Sequence, residues 1–360
     1  MKKKILVSCF TIALMAFTSG YAQEFAKVGT AGAQFLKIAV GARGIAMAEA
    51  FDAVCNDVSA IYWNPAGLTS IKSNSFLVAH ANWIADIKYD AGAFARNFQG
   101  IGTIGLSFGY LSSGDIEETT VLQPQGTGRT FNTSNLMVGV SYARALTDKF
   151  SIGGNIKYVE ERLQDEKATA WAVDIGTLYR TGFRSLRMGI TIRNFGPELK
   201  FAGTYQDYDN GNWVIDERTG EPEQKEYLPY HMPMTFKVSV AYDLLEQENN
   251  MLTLATDLVH PNDNVERLNV GAEWLLYKII ALRVGYIGPF GILGRRSDET
   301  ENLDEADEFT YNTSNYAQNF STGVGFNLDI KGFGSVNIDY AYTDFGVLDW
   351  AHRASMTINF

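Results

Sequence analysis

Several stretches carry residue types that could do chemistry, and each can be weighed by its spacing. Gly105-Leu106-Ser107-Phe108-Gly109 has the G-x-S-x-G pattern of a nucleophile elbow. That device needs a sharp strand-to-helix turn, with Asp and His following. Here the five residues sit inside an alternating run with no helical stretch after it, so Ser107 reads as an ordinary strand residue. His80, His231, His260 and His352 are scattered, without metal-ligand spacing. Asp298 to Glu308 holds seven carboxylates and Tyr205 to Asn212 adds two. Oxygen ligands would suit calcium, but Gly211 lacks acidic residues at the EF-hand offsets. Both stretches therefore read as solvated loop faces. No P-loop or dinucleotide fingerprint occurs. The residues assign no catalytic group, no metal and no cofactor.

The elements around these residues begin with an export signal. Lys2, Lys3 and Lys4 precede the apolar run Ile5 to Phe17, and Gly20-Tyr21-Ala22 fits a small-residue cleavage site before Gln23. Residues 1–22 are thus expected to be a signal peptide. Cys9 leaves with it, and Cys55 remains as a lone cysteine unable to form an intrachain disulfide. Residues 23–73 are expected to form a plug. Within them Gly41 to Leu68 reads as one long helix, crowded with small residues and ended at Trp63-Asn64-Pro65-Ala66-Gly67, where Pro65 breaks the helical pattern.

Residues 74–360 read as strand. Ala354, Met356, Ile358 and Phe360 alternate with Arg353, Ser355, Thr357 and Asn359. Leu268, Val270, Ala272, Trp274 and Leu276 alternate with Asn269, Gly271 and Glu273. A period of two held over roughly ten residues matches a tilted membrane-spanning strand, whereas sandwich strands are nearer five or six. Such segments begin near 74, 87, 101, 134, 150, 170 and 185, then near 233, 250, 264, 278, 317, 332 and 351. The expected fold is all-β, a transmembrane antiparallel β-barrel of about fourteen strands around a small N-terminal helical plug.

Connection lengths agree with that count. Every long connection (Ser113 to Thr133, Gly196 to Met232, Pro289 to Tyr316) falls in one alternate set, and the other set is short. Outer-membrane barrels sort their loops in this way. The plug and both termini are then expected on the periplasmic side, with the short turns. Turning the apolar faces to lipid sends Lys157, Asp174, Arg187, Arg193, Lys237, Asp257, Glu273, Arg283, Asp339 and Arg353 into the lumen. The reverse would cost about 2–4 kcal/mol for each Lys or Arg at mid-membrane. Both signs are present, so these groups are expected to pair with one another and with the plug. The formal net charge of −11, without a basic stripe, argues against nucleic acid as a partner.

Phe35-Leu36-Lys37-Ile38, Gly41-Ala42-Arg43-Gly44-Ile45-Ala46-Met47 and the run Asn56 to Leu68 resemble the PorV/PorQ family of outer-membrane proteins. That family is similar in fold to the FadL fatty-acid channel, a fourteen-stranded barrel whose plug carries an Asn-Pro-Ala motif, here Asn64-Pro65-Ala66. The resemblance implies an outer-membrane component of type IX secretion, embedded in outer-membrane lipid. Its partners would be a large translocon barrel and the C-terminal signal domains of secreted proteins. An alternative implied by the same resemblance is a FadL-like passive transporter of hydrophobic compounds, releasing ligand through a kinked strand. A role in lipopolysaccharide modification finds no supporting residue set.

Overall fold

Alternation of apolar and polar residues produces the architecture directly: a strand with one oily face and one polar face buries both only if the sheet closes on itself. In the computed structural model, which describes residues 29–120, 122–206, 208–209, 212–216, 218–289, 320–348 and 350–360, fourteen antiparallel strands form one closed barrel. They are β1 (Asn74–Asn82), β2 (Lys88–Phe98), β3 (Gly102–Ser112), β4 (Thr133–Ala145), β5 (Phe150–Leu163), β6 (Glu166–Arg180) and β7 (Arg187–Phe195). The second half adds β8 (Thr235–Glu246), β9 (Asn250–Pro261), β10 (Arg267–Leu276), β11 (Ile280–Pro289), β12 (Phe320–Ile330), β13 (Gly334–Asp344) and β14 (Trp350–Asn359). Each strand pairs with its chain neighbours, and β14 closes on β1 from Ser75 opposite Asn359 to Asn82 opposite His352. Residues 1–22, the expected signal peptide, and the acidic run Asp298 to Glu308 lie outside the described residues.

The sorting of connections holds in three dimensions. Phe360 exchanges backbone hydrogen bonds with Asn74, which puts the C-terminus at the short-turn end. The connections 113–132, 196–234 and 290–319 all leave from the opposite end, together with the tight turn at 164–165. The 196–234 connection carries two small hairpins, Thr204–Gln206 against Gln224–Glu226 and Tyr208–Asp209 against Asn212–Trp213.

Two expectations need correction. Gly41 to Leu68 is not one helix. A short helix spans Ala42–Ala46, turns follow, and 3-10 segments span Val58–Ile61 and Pro65–Ser70. Ala48 and Glu49 adopt left-handed backbone angles (φ 52° and 63°), which no helix can continue through. Tight tertiary packing overrides the helix propensity of the alanines. Asn64 starts a segment rather than ending one. Its side chain accepts from Ala66 N–H, and Pro65 occupies the first position, where its missing donor costs nothing. The second correction concerns topology: the first described residues lie at the loop end, not the short-turn end. Ala31 bridges to His231, Gly32 N–H donates to the His231 carbonyl (3.0 Å), and Gln34 and Lys37 reach Asp263 in the β9–β10 turn. The plug therefore runs the full height of the lumen before entering β1.

Candidate functional site

The candidate site is the seat where plug and inner wall meet. Its floor is made of glycines. Inward positions Gly105, Gly153, Gly176, Gly271, Gly285 and Gly323 each face the plug so closely that a Cβ would collide with it. At Gly105 the atom met would be Ile61 Cδ1 (2.7 Å), at Gly271 Met47 Cβ (2.8 Å), and at Gly285 Ala48 Cβ (2.6 Å). Gly153 faces the Pro65 backbone and Gly176 the Asn64 side chain. Small residues on both sides let the plug backbone lie against the wall, and Phe51, Met47 and Trp63 fill what remains.

Trp63, Asn64, Pro65, Ala66 and Gly67 form the buried centre. Trp63 Nε1 donates to the Val40 carbonyl (2.9 Å), and its ring meets Phe51 edge-on at 5.6 Å. Asn64 Nδ2 donates to the carbonyls of Asp52 (3.0 Å) and Thr177 (2.9 Å), so it ties plug turn to plug turn and plug to wall. Gly67 is pressed against the Cys55 carbonyl, where a Cβ would come within 2.5 Å. Cys55 itself is buried and free, packed as a small hydrophobe.

The ten wall charges occupy inward strand positions with different partners. Glu273 binds the Arg43 fork in bidentate fashion (2.8 Å each) and also Arg283 Nε (2.6 Å), while Arg283 Nη1 holds Asp339 (2.7 Å). With Asp57 on Arg43 (3.0 Å), this forms an alternating ladder Asp57–Arg43–Glu273–Arg283–Asp339. Lys237, fully buried, lies 3.4 Å from Asp52 and 3.8 Å from Asp257, under the Trp63 ring. Asp257 in turn accepts from the Phe51 and Asp52 amides. Arg193 donates to the Tyr62 carbonyl (2.9 Å). Lys157 binds Asp174 (2.7 Å) and Asn194, filling the register shift between β6 and β7. Arg187 pairs within the wall, with Asp243 (2.7 Å). Arg353 meets no carboxylate among the described residues; it donates to Thr343 Oγ1 (3.0 Å) and lies over the Trp83 ring at 4.6 Å.

The plug's own charges, Arg43, Glu49, Asp52 and Asp57, were not singled out from sequence, nor were Arg267, which holds Glu49 (2.9 Å), and Asp263. Arg267 was legible in principle, being in phase with Asn269, Gly271 and Glu273. At the loop end, Glu161 accepts from Ala33 N–H (3.1 Å) and from the Tyr230 hydroxyl (2.8 Å). Burial, then the adjacent carboxylate, pushes the Tyr230 phenol well up, keeping it a donor. Ser107 points inward with no partner for its hydroxyl among the described residues, in a strand that stays regular from Gly102 to Ser112. That is not an elbow.

Two spaces remain. A polar cavity of about 490 Å³ opens at the short-turn end, beside Arg43, Asp57, Asn327 and Asn337. Deeper, between Tyr62, Lys157 and Arg193, a cavity of about 30 Å³ has room for a water or two.

Comparison with known proteins fits this geometry. Solved structures of similar fold include a Pseudomonas aeruginosa FadL homologue (12% identity, 89% of this chain and 98% of that one, TM-score 0.54). The CymD monoaromatic hydrocarbon channel (11%, 90% and 98%, TM-score 0.51) and the Pseudomonas putida toluene transporter TodX (11%, 84% and 93%, TM-score 0.50) are also similar. At such identities the likeness is one of fold: a FadL-like outer-membrane barrel. A comparison with curated proteins gives no match. Residues 21–214, more than half the chain and the whole plug, match the family described as type IX secretion system protein PorV. The chain belongs to that family.

Proposed function

We propose that this outer-membrane barrel works in type IX secretion by binding exported proteins or the translocon and helping to deliver them to the cell surface. The observation that carries the reading is the occupied lumen. The plug is seated on glycines and tied to the wall by the Arg43–Glu273, Lys237–Asp52 and Arg267–Glu49 pairs. A barrel filled in this way offers surfaces at its two ends and on its outside rather than a passage through its middle. Membership of the PorV family supports the same task. The site residues then have structural roles: Trp63 to Gly67 shape the plug, Glu273, Lys237, Asp257 and Arg193 hold it, and the other inward charges brace the wall. Deleting the protein should strand type IX cargo in the periplasm; normal surface display in the deletion strain would refute the proposal.

A passive channel for hydrophobic compounds is the second reading, favoured by neighbours named as a toluene transporter and a monoaromatic hydrocarbon channel. The wall gives it less support. The shift between β6 and β7 is filled by Lys157, Asp174 and Asn194, and the deeper cavity is polar and small. Uptake of long-chain lipid or toluene into liposomes carrying the purified protein, altered by Asn64→Ala, would revive it.

A further inference from the structure

At the short-turn end the plug leaves part of the lumen open. The polar cavity there, of about 490 Å³, falls within the roughly 300–1,000 Å³ typical of small-molecule sites. Its two walls differ, and strand register sets both. Met251 stands opposite Leu275 and Leu275 opposite Ala281, so β9, β10 and β11 contribute an apolar row. Asn327 stands opposite Asn337 and Asn337 opposite Thr357, so β12, β13 and β14 contribute a polar row. All six residues line the space.

Neither row is accounted for by the plug. Lumen-facing positions of such barrels are ordinarily polar, yet Met251, Leu275 and Ala281 lie side by side and outside the hydrophobic cluster around the plug. The side chains of Asn327, Asn337 and Thr357 make no hydrogen bond among the described residues, although Thr357 is only 5% exposed. Each carboxamide can both donate and accept, as can the hydroxyl. The charges behind them are already matched: Arg43 by Glu273 and Asp57, and Arg283 by Glu273 and Asp339. With Lys72 at the rim, three cations face three carboxylates across the lining. A charged ligand would have to displace an existing ion pair. An extended peptide is held mainly by backbone hydrogen bonds to a free strand edge, and a closed barrel has none. A pyranose ring suits both walls, having an apolar C–H face and a rim of hydroxyls that donate and accept.

We propose that this cavity is a binding site for a neutral saccharide of one or two pyranose rings. The C–H face of the sugar lies on Met251, Leu275 and Ala281, and its hydroxyl rim bonds to Asn327, Asn337 and Thr357. Short turns of outer-membrane barrels face the periplasm, so the ligand enters from that side. The site stands apart from the secretion role, which concerns proteins rather than sugars.

The test is calorimetric titration of the purified full-length protein, in a detergent without a sugar headgroup, with N,N′-diacetylchitobiose and with cellobiose. At least one should bind with a Kd of ~1 mM or tighter. The double substitution Asn327→Leu/Asn337→Leu should weaken that binding at least ~10-fold, and the near-isosteric Thr357→Val ~3-fold or more. Leu275→Asn, which breaks the apolar row, should weaken it as well. Heat-modifiable migration on gels should show each variant still folded. Co-sedimentation with purified cell-wall sacculi, competed by the disaccharide, would assign the sugar to the cell-wall glycan. Disaccharide binding without co-sedimentation would assign it to a free saccharide. No binding of either disaccharide up to ~10 mM, binding unchanged by the double substitution in a folded barrel, or equal binding of tetra-alanine or inorganic phosphate would overturn the proposal. Normal cargo display in the deletion strain would refute the secretion role and leave this site standing.

Discussion

Glu273 is the residue on which most of the seat's charge balance turns. It serves two guanidinium groups, Arg43 from the plug and Arg283 from the next strand, and it is almost wholly buried. Replacing it with glutamine removes their shared anion and leaves Arg43 with Asp57 and Arg283 with Asp339, beside the polar cavity. Glu273→Gln is therefore expected to destabilise the folded barrel by about 1–3 kcal/mol, read as a lower urea midpoint for loss of heat-modifiable migration. An unchanged midpoint would mean that the ladder does not hold the plug. Asn64 matters for a different reason. Its carboxamide satisfies two carbonyls and one amide, and Asn64→Ala leaves all three to find other partners. The expected loss is about 2–4 kcal/mol, measured in the same way, and Asn64→Gln should not restore it, because Gly176 leaves no room for a longer side chain.

Among the elements, the contrast is between the wall and the plug. If the seat depends on close backbone approach, Gly153→Val should push the Pro65 turn off the wall without disturbing the outward apolar face of β5. Single-channel recordings in planar bilayers should then show raised conductance over the wild type, and silent membranes from a folded variant would count against a glycine-lined seat. The wall was legible in the sequence because its signal is local: Val238 faces lipid and Ser239 the lumen for reasons written in two adjacent residues. All fourteen strands could be placed for that reason. The plug was less legible. Its alanines favour helix locally, yet Ala48 and Glu49 bend left-handed because Met47 and Ala48 must lie against Gly271 and Gly285. The inward charges could be named from alternation, but not their partners. Nothing near Arg353 in sequence says that it rests on Trp83 while Arg267 takes Glu49.

At the scale of the whole molecule, the plug's direction through the barrel can be tested. Gln34 is exposed at the loop end, near Asp263, whereas Cys55 is buried. A membrane-impermeant maleimide added to intact cells should label Gln34→Cys and leave the wild type, whose Cys55 is buried, unlabelled. Labelling that appears only after the outer membrane is permeabilised would invert the assigned direction.

That direction constrains the order of assembly. Arg43 and Glu273 are 230 residues apart in the chain, and the plug is synthesised before any of its seat exists. Threading it afterwards through a finished cylinder would drag four unpaired charges past a dry, tightly fitted wall. The zipping of β14 onto β1 must then come last, around an N-terminal segment already in place, which acts as the former on which the cylinder is wound.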